Sequence, residues 1–192
     1  MNFGLPTTVN VRGVDWPVRY DFRAVLEICI ALSDPELDGV EKATVALNIF
    51  YPNFAEMPRE YDQAALDECM AFINGGEAEK PKKNNPVLID WEQDYKHIVP
   101  AVNRILGQEV RAIPYDAEHN TGGLHWWTFL GAYMEIGDCL FSQIVRIRRK
   151  KAFGEKLEKT EQKWLRENRD LVELKNKYTQ SEKELLAAFG IK

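Results

Sequence analysis

Residues 124–147, LHWWTFLGAYMEIGDCLFSQIVRI, decide how the rest of the chain is read. Trp126, Trp127, Phe129, Leu130, Tyr133, Met134, Ile136, Leu140, Phe141, Ile144 and Val145 fall on nearly every side of an α-helix drawn through them, and a helix apolar all round belongs in the middle of a bundle. The stretch is long enough to span a bilayer, but it carries His125, Glu135, Asp138 and Gln143, and a central acidic residue costs roughly 2.5–3.5 kcal/mol on insertion scales. The reading is therefore a buried central helix over 124–147 and no membrane contact. Gly131 and Gly137 within it are expected where a second helix approaches closely.

Toward the N-terminus, Thr8, Val9, Val11, Val14 and Val18 surround the turn pair Arg12-Gly13, which predicts a small β-hairpin with Pro17 marking an edge strand. Asp21 stands at a helix start, and Phe22, Val25, Leu26, Cys29 and Leu32 follow at three- and four-residue steps until Ser33-Asp34-Pro35 ends the pattern. Further helices are expected over 36–50 and 61–73, the latter closed by Asn74-Gly75-Gly76. Residues 77–86 have no apolar face and two prolines, the composition of a mobile linker. Asp90 then opens a helix with Gln93 as its capping-box partner and Gly107 as its stop, and Pro100 inside it predicts a break into two shorter helices.

Beyond Gly154 the chain turns polar. Leu157, Trp164, Leu171, Tyr178 and Leu185 recur every seven residues, so 155–189 reads as one long helix, although the matching seam of Glu161, Asn168, Lys175 and Glu182 is polar and too weak for a self-sufficient coiled coil. The predicted fold is mainly α: a helical domain over 1–152 with an N-terminal hairpin, and a C-terminal helical extension over 153–192.

A chain of 192 residues with 45% hydrophobic and 29% charged side chains can bury a core, and its net charge of −5 gives no overall pull toward nucleic acid or anionic membrane. Cys29, Cys69 and Cys139 are odd in number, dispersed and set in apolar patterns, as reduced cytosolic thiols are, and the first ten residues do not read as a secretory signal. Asp90, Glu92, Asp94 and His97 lie close together, with His119 and His125 further on, but no metal-ligand spacing repeats among them, and the acidic group suits a helix N-terminus. His125 reads as a core or edge histidine. No nucleophile elbow, phosphate loop or dinucleotide fingerprint is present, so neither catalysis nor a cofactor is expected.

The strongest charge feature is Arg146, Arg148, Arg149, Lys150 and Lys151. From 146 to 183 there are 13 basic against 7 acidic residues, which makes the chain electrically polarised. Self-neutralisation against an acidic body is one explanation. The other is a handle for an acidic protein partner, with Phe153 and Trp164 as apolar anchors. The expected partner-binding set is thus Arg146, Arg148, Arg149, Lys150, Lys151, Phe153 and Trp164. A nucleic-acid footprint is the weaker reading, because acidic residues interleave from Glu155 onward and no recognition motif accompanies the cluster.

Several blocks, in order, resemble the bacteriophage gene-product-fifteen family of long-tailed phages and prophages of Gram-positive bacteria. They are Asp21-Phe22-Arg23; Glu41-Lys42 with Ala46-Leu47 and Phe50-Tyr51; Phe72-Ile73-Asn74-Gly75-Gly76; Ile89-Asp90-Trp91-Glu92-Gln93-Asp94; Leu124-His125-Trp126-Trp127-Thr128-Phe129; and Ile144-Val145-Arg146-Ile147-Arg148. The resemblance implies a tail assembly chaperone that holds the aggregation-prone tape measure protein until tube subunits polymerise around it, in the host cytoplasm and outside the finished virion. A structural tail or connector component, and a nucleic-acid-binding regulator acting through 146–151, are the alternatives. Binding is expected in a groove beside the central helix or, more strongly, on the basic arm beyond it, and self-association is left open.

Overall fold

Arg12 and Gly13 both take positive φ, 52° and 88°, which is the backbone twist a two-residue hairpin turn needs. The turn joins β1 (Thr8–Val11) to β2 (Val14–Pro17) in antiparallel register, with Val11 opposite Val14 and Thr8 opposite Pro17. The computed structural model describes residues 4–78, 85–175, 177–182 and 184. They form a mainly α-helical protein in two compact units, one of 4–78 with 177–182 and 184, the other of 85–175. The boundary drawn after residue 152 falls at the end of a helix inside the second unit.

In the first unit, α1 (Phe22–Leu32) starts at Asp21, whose buried carboxylate accepts the Arg23 backbone N–H at 3.0 Å and pairs with the Arg23 guanidinium at 3.1 Å. Helix α2 (Gly39–Phe50) begins three residues later than its apolar spacing suggested, because Asp38 and Glu41 form a reciprocal capping box that fixes the first turn. Its far end is closed by Arg19, which donates to the carbonyls of Asn48 and Ile49. Helix α3 (Asp62–Ile73) completes the unit. The core gathers Val11, Val18, Phe22, Val25, Ile28, Phe50 and Phe72, with the Phe50 and Phe72 rings edge-on at 5.1 Å. The buried Tyr51 hydroxyl donates to the Ala65 carbonyl at 2.9 Å. Residues 79–84, most of the expected linker, lie outside the described residues.

The second unit opens with α4 (Trp91–Leu106), capped by Asp90 and stopped by Gly107 at φ 68°. Two expectations change here. Pro100 does not divide the helix: it lies on the exposed side, where water can take the carbonyl it frees, while Ile98, Val99, Ala101 and Val102 stay packed on the other. The Asp90 backbone N–H is taken by Asp94, not by Gln93, whose side chain instead bonds the Glu173 carbonyl and the Lys175 N–H. The loop that follows holds a two-residue ladder between β3 (Tyr115–Asp116) and β4 (Thr121–Gly122).

The stretch 124–147 is not one helix. It forms α5 (Trp126–Met134) and α6 (Leu140–Ala152), with Glu135 capping the first and Cys139 the second. Gly137 turns the chain at φ 57°, a conformation that costs an L-residue about 1–2 kcal/mol. Two helices with separate buried faces, Trp126-Phe129-Ala132 and Phe141-Ile144-Ile147, explain why one helix drawn through all of them looked apolar on every side. Gly131 is no close-approach site either, since a Cβ there would meet nothing within 4 Å.

The long C-terminal helix is likewise not continuous: α7 (Lys159–Glu167) and α8 (Arg169–Val172) are separated at Asn168, residues 173–175 and 177–179 are not helical, and 180–182 are helical again. Leu185 and the rest of 185–189 lie outside the described residues. After Val172 the chain goes extended at Glu173, φ −70° and ψ 124°.

Candidate protein-binding surface

Helix α6 has an inner and an outer face, and the arginines divide between them. Arg148 points inward and is 5% exposed. Its guanidinium grips the fully buried Asp94 through two bonds, Nη1 to Oδ2 at 2.6 Å and Nη2 to Oδ1 at 3.0 Å. It also donates to three carbonyls: Nη1 to Leu88 at 3.1 Å, Nη2 to Leu171 at 3.0 Å and Nε to Val172 at 2.6 Å. Every guanidinium N–H is thereby used. The contact fastens α4, α6 and the end of α8 to one another, and drawing the Leu171 and Val172 carbonyls to Arg148 stops α8 there. Arg148 is therefore removed from the expected partner-binding set, because the fold itself consumes its charge.

Asp94 is likewise spent on Arg148 and on the Asp90 N–H, which leaves it poorly placed as a metal ligand. Among the described residues no three His, Cys, Asp or Glu side chains come together in a way that could hold a metal ion. His125 caps α5, its Nδ1 accepting the Trp127 N–H at 3.0 Å. Burial, followed by the charge of Asp94, pushes the Tyr133 hydroxyl up to about 12. His97 is lowered by burial and then by Lys96.

Arg146, Arg149, Lys151 and Phe153 are exposed, and Lys150 and Trp164 half-buried. Helix α7 brings Glu161 against this face, where both its oxygens accept from Lys150 at 2.8 Å and Arg146 stands 3.9 Å away. The Lys150 hydrogen bond holds the Glu161 carboxyl below the ordinary glutamate range. Part of the basic cluster is thus neutralised within the chain. Among the described residues no acidic side chain pairs with Arg149.

Beside these cations lies an open depression of about 510 Å³. Tyr133, Met134, Ile136, Phe141 and Val145 form its apolar floor, and Arg146, Arg149, Lys150 and Glu155 stand along its polar side. Met134 is 74% exposed, and Leu140 and Phe153 are exposed nearby in sequence. The charge pattern locates the cations, and a groove beside the central helix is expected, but the lining residues are hidden because one buried helix over 124–147 would enclose them. The signal that could have found them is Glu135-Ile136-Gly137-Asp138, a turn-forming stretch that releases Met134 and Leu140 from the core.

No helix among the described residues is long and apolar enough to cross a membrane. The fold and this surface define a mainly α-helical protein that presents an open, largely apolar depression flanked by cations. The chain belongs to the Bacteriophage Gp15 protein family, whose model matches residues 1–174. No curated protein and no solved structure matches it.

Proposed function

We propose that this chain acts without catalysis, as a tail assembly chaperone that binds the tape measure protein in the host cytoplasm and leaves before the virion is finished. The observation that carries this reading is the α5–α6 depression, in which the exposed Met134 and the half-buried Tyr133 and Val145 stand beside the exposed Arg149, the mixture that suits reversible protein contact. Membership of a bacteriophage family supports the setting. A tape measure protein is long and helical, and its apolar stripes need cover until tube subunits enclose them. A chaperone for it needs a surface rather than a reaction centre.

A nucleic-acid role through 146–151 loses ground, since Arg148 is buried against Asp94 and Glu161 occupies Lys150. The test is twofold. Co-expression should keep the tape measure protein soluble, and mass spectrometry of purified particles should find this chain absent. Its presence at fixed stoichiometry in the particle would instead make it a tail or connector component.

A further inference from the structure

The geometry points to a specific occupant for the depression: an amphipathic helix of a partner protein that carries an apolar stripe at one end and carboxylates about two turns further along. The inference deepens the chaperone reading and rests on it only in taking the occupant to be a polypeptide.

The depression follows α6. Phe141, Val145 and Arg149 recur at four-residue steps and so form one row along that helix, with Arg146 and Lys150 in the neighbouring row. From Phe141 to Arg149 the row rises about 12 Å at 1.5 Å per residue. A furrow beside a helical ridge is the shape into which the side-chain ridge of another helix packs. Its chemistry changes along its length. Tyr133, Met134 and Ile136 at the α5–α6 turn supply the apolar end, and the last two turns of α6 supply the cations.

Charge selects the occupant. The chain's own Glu161 already sits between Arg146 and Lys150, so these cations accept a carboxylate in the geometry they have. Arg149 stands on the same side with no acidic partner among the described residues. Glu155, also lining the depression, disfavours a polyanion that would have to follow the whole rim. An apolar end followed by a few cations therefore matches a helix with an apolar stripe and a few acidic positions better than a phosphate backbone.

The test uses the full chain and three stapled helical peptides. One has Leu at i, i+3 and i+4 with Glu two turns further on, a twin has Lys in place of Glu, and a second twin has Ser in place of Leu. Fluorescence anisotropy should show the Glu peptide binding about tenfold more tightly than the Lys twin at low salt, as reversing a few partly screened charge contacts implies. The gap should narrow as salt rises, and the Ser twin should bind hardly at all. Arg149→Glu should abolish or invert the preference, and Met134→Asp should weaken the Glu and Lys peptides alike; both positions are exposed, and circular dichroism checks that each variant is folded. Equal binding of the Glu and Lys peptides overturns the inference, as does binding indifferent to both variants. So does a dimer in sedimentation that Met134→Asp converts to monomer, since a second copy would then fill the depression. An oligonucleotide that binds more tightly than the Glu peptide overturns it too. Peptide binding without any rescue of the tape measure protein would sink the chaperone reading alone, whereas rescue that ignores Arg149 and Met134 would sink the groove.

Discussion

Arg148 meets Asp94 across 54 residues of sequence, and no local pattern announces such a pair. Asp21, Asp90 and Gly107 were legible because helix capping is settled within three or four residues. The resemblance blocks Asp21-Phe22-Arg23, Asp90 to Asp94 and Ile144 to Arg148 hold these same anchoring side chains, so much of what made the sequence recognisable serves the fold. Arg148→Met would strand a buried carboxylate and three carbonyls, and should destabilise the second unit by roughly 3–5 kcal/mol in urea unfolding. Adding Asp94→Leu should recover part of the loss, whereas a single-variant cost under about 1 kcal/mol would show that the contact is peripheral. Burial raises the Cys29 thiol to about 11 and the Cys69 thiol to about 12, so both should resist iodoacetamide at pH 8 until the chain is unfolded, as read by mass spectrometry.

At the scale of elements, hydrophobic periodicity found most of the helices but could not see that an apolar run was two of them. The same blindness joined α7 to α8 across Asn168 and carried the helix past Val172, where tertiary bonds from Arg148 to the Leu171 and Val172 carbonyls end it despite the heptad spacing. Two glycine substitutions separate the one-helix and two-helix accounts. Gly131→Ala, in open space within α5, should stabilise by up to about 1 kcal/mol. Gly137→Ala should instead cost about 1–2 kcal/mol, because its φ of 57° is a turn conformation. Stabilisation by both, in thermal unfolding, would mean that the helix is continuous. Helix α7 offers a pH test. Because the Glu161 pKa is depressed, its contact with Lys150 is complete above the unfolded glutamate value and is lost as pH falls through the lowered one. The Trp164 indole resonance, on the same helix, should shift over that acidic range, and Glu161→Gln should place it at the low-pH position already at neutral pH.

Across the whole molecule, charge asymmetry drew attention to the right region for a reason only partly right. The excess of 13 basic over 7 acidic residues from 146 to 183 is real, but one arginine is structural and Glu161 engages Lys150 and stands beside Arg146. What remains for a partner is the smaller combination of Arg149, its neighbours and the apolar floor from Tyr133 to Val145. That combination was illegible in the sequence because its floor depends on a chain reversal at Gly137. The central claim is that this depression is where the chain holds the tape measure protein, and it is tested by co-expressing that protein with the wild type and with a Met134→Asp/Arg149→Glu variant. Two exposed substitutions should change folding stability by no more than about 1 kcal/mol, so the variant remains folded. The account predicts soluble tape measure protein with the wild type and its loss to the pellet with the variant. Equal solubility with both would contradict it.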